Sequence, residues 1–368
     1  MKIEIDKKDL IILIGKTQNI VEKRNTLPIL VNVLLEADNS EMKVFATDME
    51  VSLTDSIKCK VTQAGKVAVS AKSLFDITKE LGDGSIQLIK RENNWLEIRQ
   101  GKYFSKIVGV SADEYPVFPT YNAHNFIKIE APVLKEMIDK TIYSVSSDET
   151  RYHLNGVYFE ALPGQGFKMV ATDGHRMSLV SRKITEGKFQ GSQGVIIPRK
   201  GLNEIRKILE GVEGSVEIAI EGSQFILKSH TTTLMIRLIE GKYPNYQQFI
   251  PAKLTQKVRI DREAFLTSLK RVSLLANQKS RAVMLNLTKN KMEISSNNPE
   301  LGDAKEEIEV GYTGTDMKIG FNAKYIQDVL NSMQQQEIDF ELNDGLSPGL
   351  MRPHDDQTYT CVVMPMRI

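Results

Sequence analysis

With 368 residues, 41% hydrophobic and 26% charged, the chain has the composition of an ordered protein with material for several cores, which excludes a disordered or low-complexity polypeptide. The net charge of +1 argues against a uniformly basic nucleic-acid binder, and the two distant cysteines, Cys59 and Cys361, form neither a disulfide framework nor a metal-ligand spacing, so a reduced, cytoplasmic setting is expected. No run approaches the roughly 18 apolar residues that span a bilayer, and no membrane partner is expected.

In chain order, Met1 to Asp6 alternates polar and apolar residues as a strand does and lacks the features of a signal peptide. Helical segments are expected over Lys7–Arg24 and Lys72–Leu81, separated by strands that include Glu41-Met-Lys-Val-Phe-Ala-Thr-Asp48. The proline-rich stretch Tyr115–Pro119 closes this unit. A second helix pair is expected over Val133–Val145, with Leu134, Met137, Ile138, Ile142 and Val145 on one face, and over Arg199–Glu210. Strands are expected at Gly156–Glu160, Phe167–Ala171, Arg176–Val180, Gly194–Ile197, Ser215–Ile220, Gln224–Ser229 and Thr233–Leu238, and Tyr243–Pro251 closes the second unit. Helical segments over Arg262–Arg281 and Lys324–Met333 follow, and the chain finishes on a strand from Thr360.

This order repeats. Gly166-Phe-Lys-Met-Val-Ala-Thr-Asp173 and Lys291-Met-Glu-Ile-Ser-Ser-Asn-Asn298 match the 41–48 stretch, and Asp48, Asp173 and Asn298 are each 125 residues apart. Ala71–Ile77, Arg199–Ile205 and Ala323–Val329 form a second triplet, and Ile5–Leu10, Ile129–Leu134 and Ile260–Phe265 a third. A period near 125 residues is that of a domain, not of a short solenoid repeat. The chain therefore reads as α+β, three copies of one domain over 1–122, 123–251 and 252–368, each built from two strand-helix-three-strand units with mostly antiparallel sheet. The six helical segments carry +3, 0, 0, +2, +4 and 0 in chain order, leaving −8 on strands and loops. Basic helices and acidic strands are more than a preference of Lys for helices, since Glu favours helices nearly as well.

Ala171-Thr-Asp-Gly-His-Arg176 brings an acid, an imidazole and a guanidinium close together, but on a hairpin turn without a nucleophile. Its counterparts at Met49-Glu50 and Asn297-Asn298 lack the histidine. An Asp that closes a turn is the simpler reading, and a hydrolase using Asp173 and His175 is the rival. Phosphate loops, dinucleotide fingerprints and zinc motifs are absent, so no cofactor or metal is expected. Pro163–Gly166 reads as a turn and Trp95 as packing, and His124, His230 and His354 stand isolated.

Thr26-Leu-Pro-Ile-Leu30, Arg151-Tyr-His-Leu-Asn-Gly156, Ala171–Arg176, Ile197-Pro-Arg-Lys200, Asn297-Asn-Pro-Glu300 and Val362-Val-Met-Pro-Met-Arg-Ile368, in this order, resemble the bacterial sliding clamp family, the beta subunits of replicative DNA polymerase. The resemblance implies a non-catalytic homodimer, joined head to tail as a ring of six similar domains, with helices around encircled double-stranded DNA and sheets outside. An interaction scaffold of three repeated domains that encircles nothing is the alternative the repeat alone leaves open. On the clamp reading, basic helices face phosphates without reading sequence, while an acidic exterior avoids other DNA. Arg24, Lys200, Arg206, Lys207, Lys270, Arg271, Lys279 and Arg281 are the candidate DNA-facing residues, with a solvated helix face as the alternative for each.

By the same resemblance, the polymerase catalytic subunit, the clamp loader, other polymerases and repair factors dock short peptides in a pocket. Its matching positions are Arg151, Leu154, Thr172, Gly174, His175, Arg176, Met177, Pro244, Asn322, Tyr325, Leu346, Val362, Val363, Met364, Pro365, Met366 and Arg367. Aliphatic and methionine side chains suit adaptable apolar anchoring, though residues 362–366 also suit an edge strand of their own domain. His153, Gln248 and Phe249 depart from the family pattern, where Tyr, a basic residue and a smaller aliphatic are usual. The ring interface is expected to set Lys72, Ile77 and Val110 of one subunit against Leu274, Leu275 and the acidic stretch from Glu300 through Glu306 and Glu307 of the other; Leu274 and Leu275 also suit a core.

Overall fold

The computed structural model describes residues 1–21, 27–122, 126–162, 166–183 and 194–367. Each third of the chain runs strand, helix, three strands, twice over, with short extra strands at Lys60–Gln63 and Gly109–Val110 in the first. The helices are α1 Lys7–Gly15, α2 Ala71–Glu80, α3 Ala131–Asp139, α4 Arg199–Leu209, α5 Arg262–Val272 and α6 Ala323–Ser332. The opening triplet is a strand end followed by a helix cap: the side chains of Asp6 and Asp261 accept from Lys8 N and Ala264 N, satisfying amides the first helical turn leaves open.

Three helices are shorter than the hydrophobic spacing suggests. Thr17 Oγ1 donates to Ile14 O, Thr141 Oγ1 to Met137 O and Ser273 Oγ to Lys270 O, so a hydroxyl competes for helix carbonyls at each early end. Short turns continue α3 and α5 at Ile142–Ser144 and Ser273–Leu275. With these bounds the helices carry +1, 0, −1, +3, +2 and 0, a smaller excess than expected, chiefly because Lys16, Lys140, Lys279 and Arg281 fall outside them.

Contacts divide the chain into two compact units, one gathering Met1–Pro132 with Lys200–Leu238 and the other holding Ile239–Ile368 with most of residues 133–199. The reason is that sheets run on from one repeat into the next. In the first unit a nine-stranded antiparallel sheet continues from the strand Val51–Lys58 into Thr232–Arg237, with Val51 opposite Ile236 and Thr54 opposite Thr233. In the second unit an eight-stranded sheet continues from Arg176–Arg182 into Tyr359–Val363, with Arg176 opposite Val363 and Val180 opposite Tyr359. These are the first and second joints.

Strands Val51–Lys58, Arg176–Arg182 and Gly302–Glu309 hold the same place in their repeats, as do Thr232–Arg237, Tyr359–Val363 and Tyr103–Ile107. Gly302–Glu309 is the edge of a four-stranded sheet and Tyr103–Ile107 the edge of a five-stranded one, so their outer sides lack a strand partner among the described residues. Alternation sets the cores: Ile3, Ile5, Val33, Leu35, Val283, Leu285 and Leu287 are buried one residue in two.

Candidate functional site

A cavity of about 220 Å³ opens in the second unit, lined by Arg151, Leu154, Thr172, Gly174, Arg176, Met177, Pro244, Phe249, Val362 and Met364. Its floor is an apolar cluster of Leu154, Val170, Met177, Tyr243, Tyr246 and Val362, so an apolar side chain entering it leaves water. The Asp173 turn shapes one wall. Asp173 Oδ1 accepts from His175 N and Arg176 N, as Asp48 Oδ1 accepts from Glu50 N and Val51 N and Asn298 Oδ1 from Glu300 N. The repeated acid is thus a turn closer, and the hydrolase arrangement does not form. Gly174 has φ +89°, a conformation in which other residues are strained, and a Cβ there would sit 2.9 Å from Arg151 Nη1 and shift that guanidinium.

Arg176 is held from several sides. Its guanidinium pairs with Asp173 at 3.0 Å and Asp328 at 2.7 Å, donates to Tyr143 O at 2.6 Å and lies 4.6 Å from the Tyr325 ring centroid. Burial works against its charge, but the two carboxylates outweigh burial and hold the guanidinium more firmly protonated than usual. Burial, then Asp173, raises the Tyr325 phenol. Arg151 is aimed by Asp148 at 2.9 Å.

The other expected pocket residues do not line this cavity. His175 is exposed and stacks on Tyr325 at 6.3 Å, Asn322 caps α6 through Lys324 N, and Leu346 is exposed on the turn organised by Asp344. Val363 is buried on its strand, while Met364 N donates to His175 O and Met366 N to Gly320 O, which extends the last strand along Pro365 towards exposed Arg367. Phe249 lines the cavity, Gln248 is exposed beside it and His153 packs edge-on to Tyr152.

The basic candidates differ in freedom. Lys200 ion-pairs with Asp48, Lys207 with Glu204 at 2.7 Å, and Arg271 with Glu306 through two bonds. Arg206 is half-buried on α4, whereas Lys270, Lys279 and Arg281 are exposed. Arg24 lies outside the described residues.

The candidate interface residues fall on two surfaces. Leu274 is exposed at the end of α5 with half-buried Leu275 beside it, and Glu300, Glu306 and Glu307 stand at or on the edge strand Gly302–Glu309. Glu306 and Glu307 already pair with Arg271 and Lys291 of their own chain. In the first unit, exposed Lys72 and half-buried Ile77 lie on α2, while Val110 borders the nine-stranded sheet. Sequence reasoning missed exposed Tyr103 and Phe104 on the other free edge; aligning their strand with 232–237 and 359–363 would have found them.

The chain matches the DNA polymerase III beta subunit N-terminal domain over residues 1–119, its central domain over 128–245 and its C-terminal domain over 247–367. It is 31% identical over 373 residues to the beta sliding clamp of Caulobacter vibrioides, covering all of both chains. Among solved structures, the sliding clamp of Bartonella birtlesii bound to griselimycin is similar with a TM-score of 0.96 and 32% identity over the whole of both chains. The Bacillus subtilis DNA polymerase sliding clamp is similar with a TM-score of 0.96 and 29% identity over 100% of this chain and 99% of that one.

Proposed function

This chain belongs to the DNA polymerase III beta subunit family and is a sliding clamp of DNA replication, a non-catalytic processivity factor, and we propose that two copies close head to tail around duplex DNA. The observation that carries this reading is the pair of joints with one more set of matching edges left over. Two repeat-to-repeat joints use the same strands in the same register, and the strands that would form a third, Gly302–Glu309 and Tyr103–Ile107, are both edges. Among the described residues of one chain no third joint forms; between two copies it would form twice and close. Exposed Tyr103, Phe104, Leu274 and Leu301 would then be covered, which removes a free apolar edge of the kind that aggregates. Division into repeats at 1–122, 123–251 and 252–368 belongs to the same proposal.

Retention by closure leaves little for contact energy to do. The basic residues on α4 and α5 and in the turns after α5 need only weak, sequence-blind phosphate contacts, which permit sliding. The test is retention on covalently closed and on linear DNA at high salt. Clamps held on the circle but lost from the linear molecule support encirclement; equal loss from both contradicts it.

The cavity at Met177 and Val362 is proposed to receive short peptides of the polymerase and other replication and repair proteins, with Arg151 and Arg176 orienting the chain. Replacing Met364 and Met366 with Ala should weaken binding of a polymerase-derived peptide at least tenfold by calorimetry while leaving the dimer intact. Unchanged affinity removes the cavity from the docking role.

A further inference from the structure

The first unit contains a second, larger opening, a groove of about 610 Å³ against the first joint. Ile11, Ile12, Phe75, Ile208 and Val212 give it an apolar wall, and Lys16, Asn19, Glu204, Lys207 and Thr232 are among its polar groups. Its origin follows from the internal repeat. Helices α1 and α3 are each nine residues long and each is followed by Lys-Thr, at Lys16-Thr17 and Lys140-Thr141, so Asn19 holds the place of Tyr143. The ladders equate Ile236 with Val363, which puts Thr232 in the place of Tyr359.

Those two tyrosines fill the second joint. Tyr359 Oη bonds Ser332 Oγ at 2.6 Å and Lys140 O at 3.0 Å, and lies 3.0 Å from Tyr143 Oη, while Lys140 Nζ sits 4.8 Å from the Tyr359 ring centroid. In the first joint the equivalent lysine remains, with Lys16 Nζ bonded to Asp55 at 2.6 Å and to Thr232 at 3.0 Å, but both rings are gone. The groove opens beside Asn19 and Thr232, the positions that carry the two phenols in the second joint.

We infer that this groove is a binding site for a small aromatic molecule with a phenol-like polar tip, taking the place that tyrosine side chains occupy in the second joint. The ring would lie on Ile208, Ile11 and Phe75 and displace water from apolar surface. The counterpart of Ser332 here is Ile208, so the hydroxyl would instead reach an acceptor one helical turn earlier, Glu204, which is more than nine-tenths buried and is bonded by Lys207 at one oxygen, leaving lone pairs on the carboxylate. A bound ring would also brace α1 against α4 across the first joint, as Tyr359 links the segment after α3 to α6 across the second.

The test titrates the full-length protein with p-cresol, the tyrosine side chain as a free molecule, read by methyl NMR at Ile11, Ile12 and Ile208 and by thermal unfolding. Saturable shifts at these isoleucines and a rise in Tm of a few degrees are expected. Asn19→Tyr, at an exposed position, and Thr232→Tyr, at the buried floor, should each weaken binding at least tenfold by filling the site from within. Should Thr232→Tyr fail to fold, Asn19→Tyr alone decides. Shifts that rise linearly without saturation, saturable shifts undiminished in the folded variants, or shifts confined to Met177 and Met364 would each overturn the inference.

Discussion

The first and second joints share a strand register and differ in what binds their helices across it. Between α3 and α6 the second joint is packed with Tyr143, Tyr359, Cys361, Ser178 and Ser332, and beside them Arg182 and Lys140 pair with Glu136 and Asp356. In the first joint Asp55 binds Lys16, Thr231 and Thr232, and Lys200 pairs with Asp48, beside an open groove. One backbone solution thus carries two internal fillings. The ladder fixes where repeats join, while the side chains on its helix-facing side fix how the joint is filled.

The largest expected effect separates the two joints directly. Tyr359→Ala should cost about 3–5 kcal/mol in urea unfolding, since it removes a fully buried ring and leaves its hydroxyl partners unsatisfied. Thr232→Ala at the equivalent place should cost only about 1–2 kcal/mol, the loss of hydrogen bonds to Asp55 and Lys16. Equal costs would break the comparison.

A smaller effect tests the ionic part. Arg182→Ala leaves Glu136 and Asp356 facing each other with Lys140 as their remaining cation, and about 2 kcal/mol should be lost, discounted for the partial exposure of Glu136. No measurable loss would reduce the network to surface pairing.

Acid sharpens the same point. Burial alone would raise the Glu136 and Asp356 carboxyls, but hydrogen bonds and positive charge from Arg182 and Lys140, with Thr358 at Asp356, hold both below the ordinary range. Carboxylates depressed on folding stabilise the fold above their unfolded values, near pH 4, and the contribution disappears as pH falls through the lower folded values. The urea midpoint of the unaltered chain should therefore fall between about pH 4 and 2 more steeply than that of Arg182→Ala; parallel curves would exclude the network as the cause.

Much of this was legible in the sequence because a 125-residue repeat makes every local pattern testable three times. The strands of the second repeat lie within one or two residues of their expected positions, and Asp173 was readable as a turn closer from its counterparts at Asp48 and Asn298. Helix ends were overextended because apolar spacing continues past Thr17, Thr141 and Ser273, where side-chain hydroxyls bond the last helix carbonyls. The joints were not legible. Pairing of Val51–Lys58 with Thr232–Arg237 links residues about 180 positions apart, and no local signal marks it. The groove was hidden for the same reason, since Asn19 and Thr232 become informative only when the ladders equate them with Tyr143 and Tyr359.

The central claim is that Tyr103–Ile107 and Gly302–Glu309 complete the third joint between two copies. The turn before Gly302 is one residue longer than its counterparts, since Asn297 pairs with Asp303 where Thr47 pairs with Ser52 and Thr172 with Met177. Carried over with that shift, the register sets Ala304 opposite Ser105 of a second copy, at a Cα separation of about 4.5–5.5 Å that a disulfide accepts. The most direct measurement is oxidation of the Ser105→Cys, Ala304→Cys double variant followed by non-reducing electrophoresis and mass determination. A dimer linked at both ends, absent from either single variant, is the result predicted here; a chain that stays monomeric, or that links into open-ended multimers, would contradict closure into a ring.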